Sequence, residues 1–422
     1  LYTSLVETHY NVYAYISEEE FNSNYRKIRN SIDQDSLSLL EATNILQQVI
    51  SVVNNGHTEI DFPGASYASY AYDGGTLFPL EIAFENGQSL IRKNFSNDSE
   101  IGIGAEIVSI NGVSMIDILD KIYLQISAER TYLKNAKIEL YSFPRYYWQI
   151  FGPVDQFVVG IRAEGTVRYH EISSINALEE YEMKRSEVMN AEMKLDLFDK
   201  TAYLNPGDFS GDEHIYKRFI DSAFTCILDK NANHLIIDLR NNRGGNDAFS
   251  DHLVSYIANK PFKWTSKFTV KTSALLKDHT LNFNDTSQTY FKEIVEHRNG
   301  EIYEPALYFY QPQPEENRFK GTTYVLVNRQ SHSQAAVTAA QIQDYGFGLI
   351  VGEETAESPS LFASQFQYEL PNTKIAVKVA KGYITRVNGS THPEGVIPDI
   401  QIDDHLLDEK DEILSILLER LQ

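Results

Sequence analysis

Thr322-Thr323-Tyr324-Val325-Leu326-Val327, the turn through Ser331-His332-Ser333, and the run Gln334-Ala335-Ala336-Val337 decide the fold of this chain. The first six residues read as a short apolar strand. Ser331-His332-Ser333 then opens a helix that carries Ala336, Val337, Ala340 and Ile342 and stops at Gly346. A third piece, Gly348 to Gly352, reads as the next strand. Strand, helix and strand in close succession predict a mainly parallel sheet with crossover helices.

Upstream the same grammar recurs. His234 to Leu239 is an apolar strand that ends in Asp238-Leu239-Arg240-Asn241-Asn242-Arg243-Gly244-Gly245-Asn246. Asn246 caps a predicted helix with Phe249, Leu253, Val254 and Ile257 on one face. In open α/β sheets, sites gather where strands end and helices begin. Gly244-Gly245 lets backbone approach a ligand closely. A hydroxyl at the start of the 334 helix sits beside unpaired N–H groups and the positive end of the helix dipole. That setting suits a nucleophile whose attack creates an oxyanion. Taken singly, a serine at a helix start is an ordinary cap and paired glycines are an ordinary turn.

The chain has 422 residues, enough for two or three domains. Its net charge of −22, from 59 acidic and 37 basic residues, argues against nucleic-acid binding. No stretch reaches the ~18 apolar residues of a membrane span. A single cysteine, Cys226, excludes an internal disulfide and reads as a small buried hydrophobe. Eleven histidines show no metal-ligand spacing, so no metal site is inferred.

Residues 1–60 read as helical. Ser17-Glu18-Glu19-Glu20 opens one helix, and a second runs from Leu37 to Val53 and stops at Asn54-Asn55-Gly56. Residues 61–175 read as a small β domain with one or two helices, including a tight turn at Asn111-Gly112. Residues 176–197 read as a connector, and residues 176–422 contain the α/β core. The polar-aromatic stretch from about 260 to 320 reads as an excursion outside that core.

Four segments in order, Asp238-Leu239-Arg240-x-Asn242-x-Gly244-Gly245, Ser331-x-Ser333-x-Ala335, Gly352-Glu353-x-Thr355 and Gly395-Val396-x-Pro398-Asp399, resemble the C-terminal-processing serine peptidases. That family includes tail-specific protease and the tricorn core protease. Gly56-His57-Thr58 is similar to the family's N-terminal Gly-His-Thr, and residues 103–112 resemble its peptide-binding PDZ insert.

The resemblance implies a ClpP/crotonase-like α/β core with an N-terminal helical bundle and a PDZ-like β domain. It implies a serine endopeptidase without a cofactor, acting on polypeptides recognised at their C-termini, in the periplasm, at the cell surface or secreted. By position, Ser333 matches the nucleophile, with Ser331 as fallback. Gly244 or Gly245, with the N–H of Gln334, matches the oxyanion hole. Arg240 and Asn242 would brace the Gly-Gly turn. Where many members carry a lysine, this chain has Ser358 in Ala356-Glu357-Ser358-Pro359. The tricorn-like branch uses histidine instead, and His57 fills that role. Glu394 resembles its supporting acid, with Glu59 as runner-up; His332 is expected to point away. A non-catalytic binder of peptide or lipid on the same fold, and an acyl-CoA enzyme of crotonase type, are the rival readings.

Overall fold

The structure is a computed structural model that describes residues 1–163, 165–185 and 192–421. At its centre lies a six-stranded sheet. From one edge its strands are Ile400–Gln401, Leu349–Gly352, Thr322–Val327, His234–Asp238, Thr201–Pro206 and Met193–Phe198. All neighbours are parallel except the last pair, which is antiparallel.

The central strands read as unbroken apolar runs because both faces are covered. Leu235, Ile237, Val325, Val327 and Ile350 point to one core with helices Glu213–Asp229, Asp247–Ser255 and Gln334–Tyr345. Ile236, Leu326 and Val351 point to the other face, under helix Glu412–Leu421. The helix ends follow their sequence signals. Asn246 Oδ1 accepts from Ala248 N at 2.8 Å, and Gly346 takes the left-handed conformation that ends the 334 helix.

A four-stranded antiparallel sheet stands beside this core, in the order Ile302–Tyr303, Lys267–Lys271, Ala376–Thr385, Leu361–Glu369. The 260–320 stretch is therefore no excursion. It supplies two of these strands and the helices Ala274–Phe283 and Thr289–Glu296. Its Trp264, Phe268, Tyr290, Phe291 and Tyr303 join an apolar cluster with residues 361–384 and the N-terminal helices.

Those N-terminal helices, Glu18–Asn30 and Leu39–Ser51, start with capping boxes at Ser17/Glu20 and Ser38/Glu41. Leu5, Phe21, Ile50 and Val53 pack against Val270, Val377 and Val379.

Residues 61–175 hold a second six-stranded sheet, all antiparallel, built on Leu80–Glu85, Gln88–Asn94, Glu106–Ile110, Gln156–Ala163 and Thr166–Ser173. They hold more helix than expected: Gly64–Tyr72, Met115–Tyr123, Thr131–Tyr141 and Phe143–Phe151. Helix Thr131–Tyr141 has weak polar-apolar contrast because it is buried between two regions. The 176–197 connector contains one π-helical turn, Ala177–Glu182, and ends in the edge strand Met193–Phe198. Its residues 186–191 lie outside the described residues. Cys226 is half-buried rather than buried, on helix Glu213–Asp229.

Candidate active site

Ser333 occupies the turn between strand Thr322–Val327 and helix Gln334–Tyr345, with φ 53° and ψ −124°. A non-glycine residue rarely adopts that conformation, and holding it costs about 1–3 kcal/mol. A sharp strand-to-helix turn with a strained serine is the geometry that exposes a nucleophile above a sheet. Around it the turn is tied down. Ser331 Oγ donates to Leu239 O at 2.8 Å, and His332 N donates to Asn242 O at 3.0 Å. Ser331, the fallback nucleophile, is thus fully buried and structural.

The Gly-Gly turn lies directly against Ser333. A Cβ on Gly244 would come within 2.5 Å of Gln334 N, and one on Gly245 within 1.9 Å of Phe209 O. Both glycines also have positive φ, 80° and 139°. No other residue fits such an approach. The N–H of Gly244 is committed to Asn242 Oδ1 at 2.7 Å. Those of Gly245 and Gln334 donate to no hydrogen bond within the described residues. Asn242 braces the turn, its Nδ2 also donating to Gly207 O at 2.7 Å. Arg240 does not; it pairs with Asp238 and Asp411 at 2.7 and 2.6 Å on the far side.

His57 comes from the loop after helix Leu39–Ser51. Asn55 and Gly56 bond to Ser127 and Glu129, and Glu59 pairs by two backbone bonds with Lys378 of the four-stranded sheet. The ring is buried and stacks on His332, centroids 5.1 Å apart and planes 9° from parallel.

Between these rings lies Glu357, its side chain 1% exposed. One oxygen is 3.0 Å from His57 Nε2 and the other 3.1 Å from His332 Nδ1. The second oxygen also accepts from the Ser333 N–H. The approach to His57 is off the ring's N–H axis, so both atoms lack a hydrogen bond of good geometry and meet as charges. Helix Gln334–Tyr345 has no cap from its own side chains, so this carboxylate fills that place, where the helix dipole favours an anion.

Burial alone would lower the His57 pKa, but the Glu357 charge and contact outweigh it and raise the value above 6.5. Burial would raise Glu357; the charges of His332 and His57, with the His57 and Ser333 contacts, hold it down to about 2. His332 is lowered to about 4, chiefly by burial. The Glu357 carboxylate thus favours the protonated form of His57, while burial favours the neutral form of His332.

Several expected placements differ. Glu394 is not brought to His57; it is 60% exposed and its carboxylate is 4.0 Å from His392 Nδ1. The turn that carries it faces solvent. Glu59 pairs with Lys137 at 2.7 Å. His332 faces the site instead of turning away, because its Nδ1 meets Glu357. Ser358 Oγ donates to His392 O. Glu357 escaped the sequence reading: it lies in the segment searched for a lysine, and only the fold brings it to His57. Ligand atoms of His57, His332 and Glu357 lie within 4.8 Å of one another, so this trio has the donors to hold a metal ion, as do His405, Asp408 and Glu412.

Two clefts meet at Ser333. One, of about 520 Å³, is polar, with His57, Lys137, Arg243 and Lys378 on its walls. The other, of about 600 Å³, has the aromatic residues Trp264, Phe268, Tyr290, Phe291 and Phe366 on its walls.

A strained serine over a parallel sheet, backed by a Gly-Gly turn and a buried histidine–glutamate pair, is an arrangement suited to acyl transfer. Residues 200–402, just under half of the chain, match the family model of peptidase family S41. A tail-specific protease of Haemophilus influenzae is 35% identical over 101 residues, covering 22% of this chain and 14% of that relative's length. Among solved structures, mature CPAF superposes with a TM-score of 0.66 at 15% identity, over 99% of this chain and 94% of that one. Mature CPAF complexed with lactacystin gives 0.63, also at 15% identity, over 99% and 95%. These likenesses establish the shared fold.

Proposed function

We propose that the chain is a serine endopeptidase in which Ser333 is the nucleophile and His57 its base. The observation that carries this reading is the backbone of Ser333, held in a costly conformation at a strand-to-helix turn. The match of residues 200–402 to a peptidase family supports the same chemistry.

In the mechanism, the ring nitrogen of His57 turned away from Glu357 takes the Ser333 hydroxyl proton. The serine oxygen bonds to the scissile carbonyl carbon, and the carbonyl electrons move to its oxygen. The N–H groups of Gly245 and Gln334 receive that oxyanion. His57 then gives its proton to the leaving amine, and water releases the acyl group by the reverse sequence. Glu357 orients the ring and stabilises its cation, the part an acid plays in other triads. A base must be neutral, so the enzyme works on the fraction of molecules whose His57 has lost its proton.

Glu357 takes the role first assigned to Glu394. The 61–175 region is the candidate for holding a substrate tail by strand addition. An extracytoplasmic site of action follows from the family resemblance; no described helix is long and apolar enough to cross a membrane.

The test is a fluorophosphonate probe together with hydrolysis of an unfolded protein such as casein. The native chain should label at Ser333 and cleave; Ser333→Ala should do neither, with its circular dichroism unchanged. A folded native chain that takes no label points to the non-catalytic binder instead.

A further inference from the structure

The aromatic cleft contains a group that the hydrolysis above does not use. Trp264, Phe268, Tyr290, Phe291 and Phe366 form much of its wall, and about 600 Å³ is the size of a small-molecule site. Lys381 is set into that wall, 8% exposed. Its Nζ donates to Ser364 O at 2.6 Å and Ser364 Oγ at 2.9 Å. No carboxylate of the described residues pairs with it. Lysine is almost never buried without a partner, because an unpaired buried charge is expensive.

The backbone is distorted at the same place. Strands Leu361–Glu369 and Ala376–Thr385 pair Ala363 with Gly382 and Gln365 with Ala380, and the ladder skips the pair between them, Ser364 and Lys381. Ser364 has φ 55° there, a strained conformation that turns its carbonyl to the lysine. Ser364 lines both clefts, beside Ser333. Strain and an unpaired buried cation therefore coincide at one point next to the nucleophile. His279 lines the same cavity, and burial with the Lys381 charge keeps its pKa below the ordinary value. Asp247 lines it too, on the element after the Gly-Gly turn, and makes no ion pair with Lys381.

We propose that this cavity is a substrate subsite for an apolar segment that carries a carboxylate, and that Lys381 binds the carboxylate. The word substrate rests on the peptidase reading; the subsite itself does not. Burial lowers the Lys381 pKa to about 8, which leaves most of it charged at neutral pH, ready for an anion. The carboxylate has two possible sources, an acidic side chain or the free end of a polypeptide.

Four peptides separate them: acetyl-Ala-Ala-Phe-Phe-Leu as free acid and as amide, and an amidated acetyl-Ala-Ala-Phe-Glu-Leu beside its Gln counterpart. Binding is read by calorimetry on Ser333→Ala, and hydrolysis on the native chain. One acid-bearing peptide should bind about tenfold or more tighter than its neutral twin. Lys381→Met should erase that preference while neutral peptides stay within about threefold. The arm that shows the preference names the source. Equal affinity within both pairs, or equal weakening of all four by Lys381→Met, overturns the proposal. If Lys381→Met does not fold, the acid-against-neutral comparison on Ser333→Ala decides alone. Acid preference with no hydrolysis by the native chain would remove the nucleophile reading and leave the subsite; hydrolysis of all four alike would do the reverse.

Discussion

Glu357 sets the working state of His57, and a single substitution separates its two effects. Its charge raises the His57 pKa, so kcat/KM should fall on the acid side with a midpoint above 6.5. Glu357→Gln removes the charge and keeps the shape. Burial then acts on His57 with only the Glu129 charge still raising it, and the midpoint should drop. A pH profile of kcat/KM for both proteins measures this. The variant's maximal rate should also fall, because the imidazolium formed during attack loses its counter-charge. An unchanged midpoint would show that Glu357 serves only as a helix cap.

At the scale of elements, the decisive contact is between two turns. The strand His234–Asp238 delivers Gly244-Gly245, and the strand Thr322–Val327 delivers Ser333; the strands pair in parallel, so both turns emerge at the same sheet edge. Gly245→Ala would force a methyl group to 1.9 Å from Phe209 O, and the backbone must move to relieve it. Displacing an oxyanion donor should lower kcat about 100-fold or more. Steady-state kinetics, with a thermal melt to show that the chain remains folded, would register this. An alanine variant with native kcat would exclude Gly245 as donor.

These elements were readable in the sequence for a physical reason. Val325, Leu326 and Val327 are buried on both faces, so the strand is a plain apolar run, and Asn246 and Gly346 mark the helix ends where backbone groups need partners. The 260–320 stretch was not readable. Its strand Lys267–Lys271 is half-exposed and finds its partner, Gly382 to Thr385, far along the chain. Helix Thr131–Tyr141 was missed because its burial comes from contacts with other regions. Lys137 bonds to Gly56 O at 3.0 Å and pairs with Glu59, and Glu139 meets Arg329 at 2.9 Å. Local patterning carries no trace of such contacts.

Over the whole molecule, Arg329 is the principal stitch between the 61–175 region and the core. It is 6% exposed and reaches Glu85 at 2.7 Å, Glu139 at 2.9 Å and Glu353 at 3.7 Å. Arg329→Met would leave Glu139, fully buried, without its cation. The loss should be about 3–5 kcal/mol, read from urea unfolding. Activity should fall along with it, since Arg329 lies on the Ser331–Ser333 turn and on the wall of the polar cleft. A variant as stable as the native chain would mean that packing alone joins the two regions.

His57 is anchored to residues 127, 129 and 378 and stands against a turn near residue 333. A chain still emerging from the ribosome therefore holds its imidazole long before the hydroxyl exists, and holds the hydroxyl before strand Ala376–Thr385 can lock the imidazole in place. On the mechanism proposed above, the newborn protein stays harmless to its neighbours until strand Ala376–Thr385 has been synthesised. No separate inhibitory segment is required for that safeguard; the order of assembly provides it.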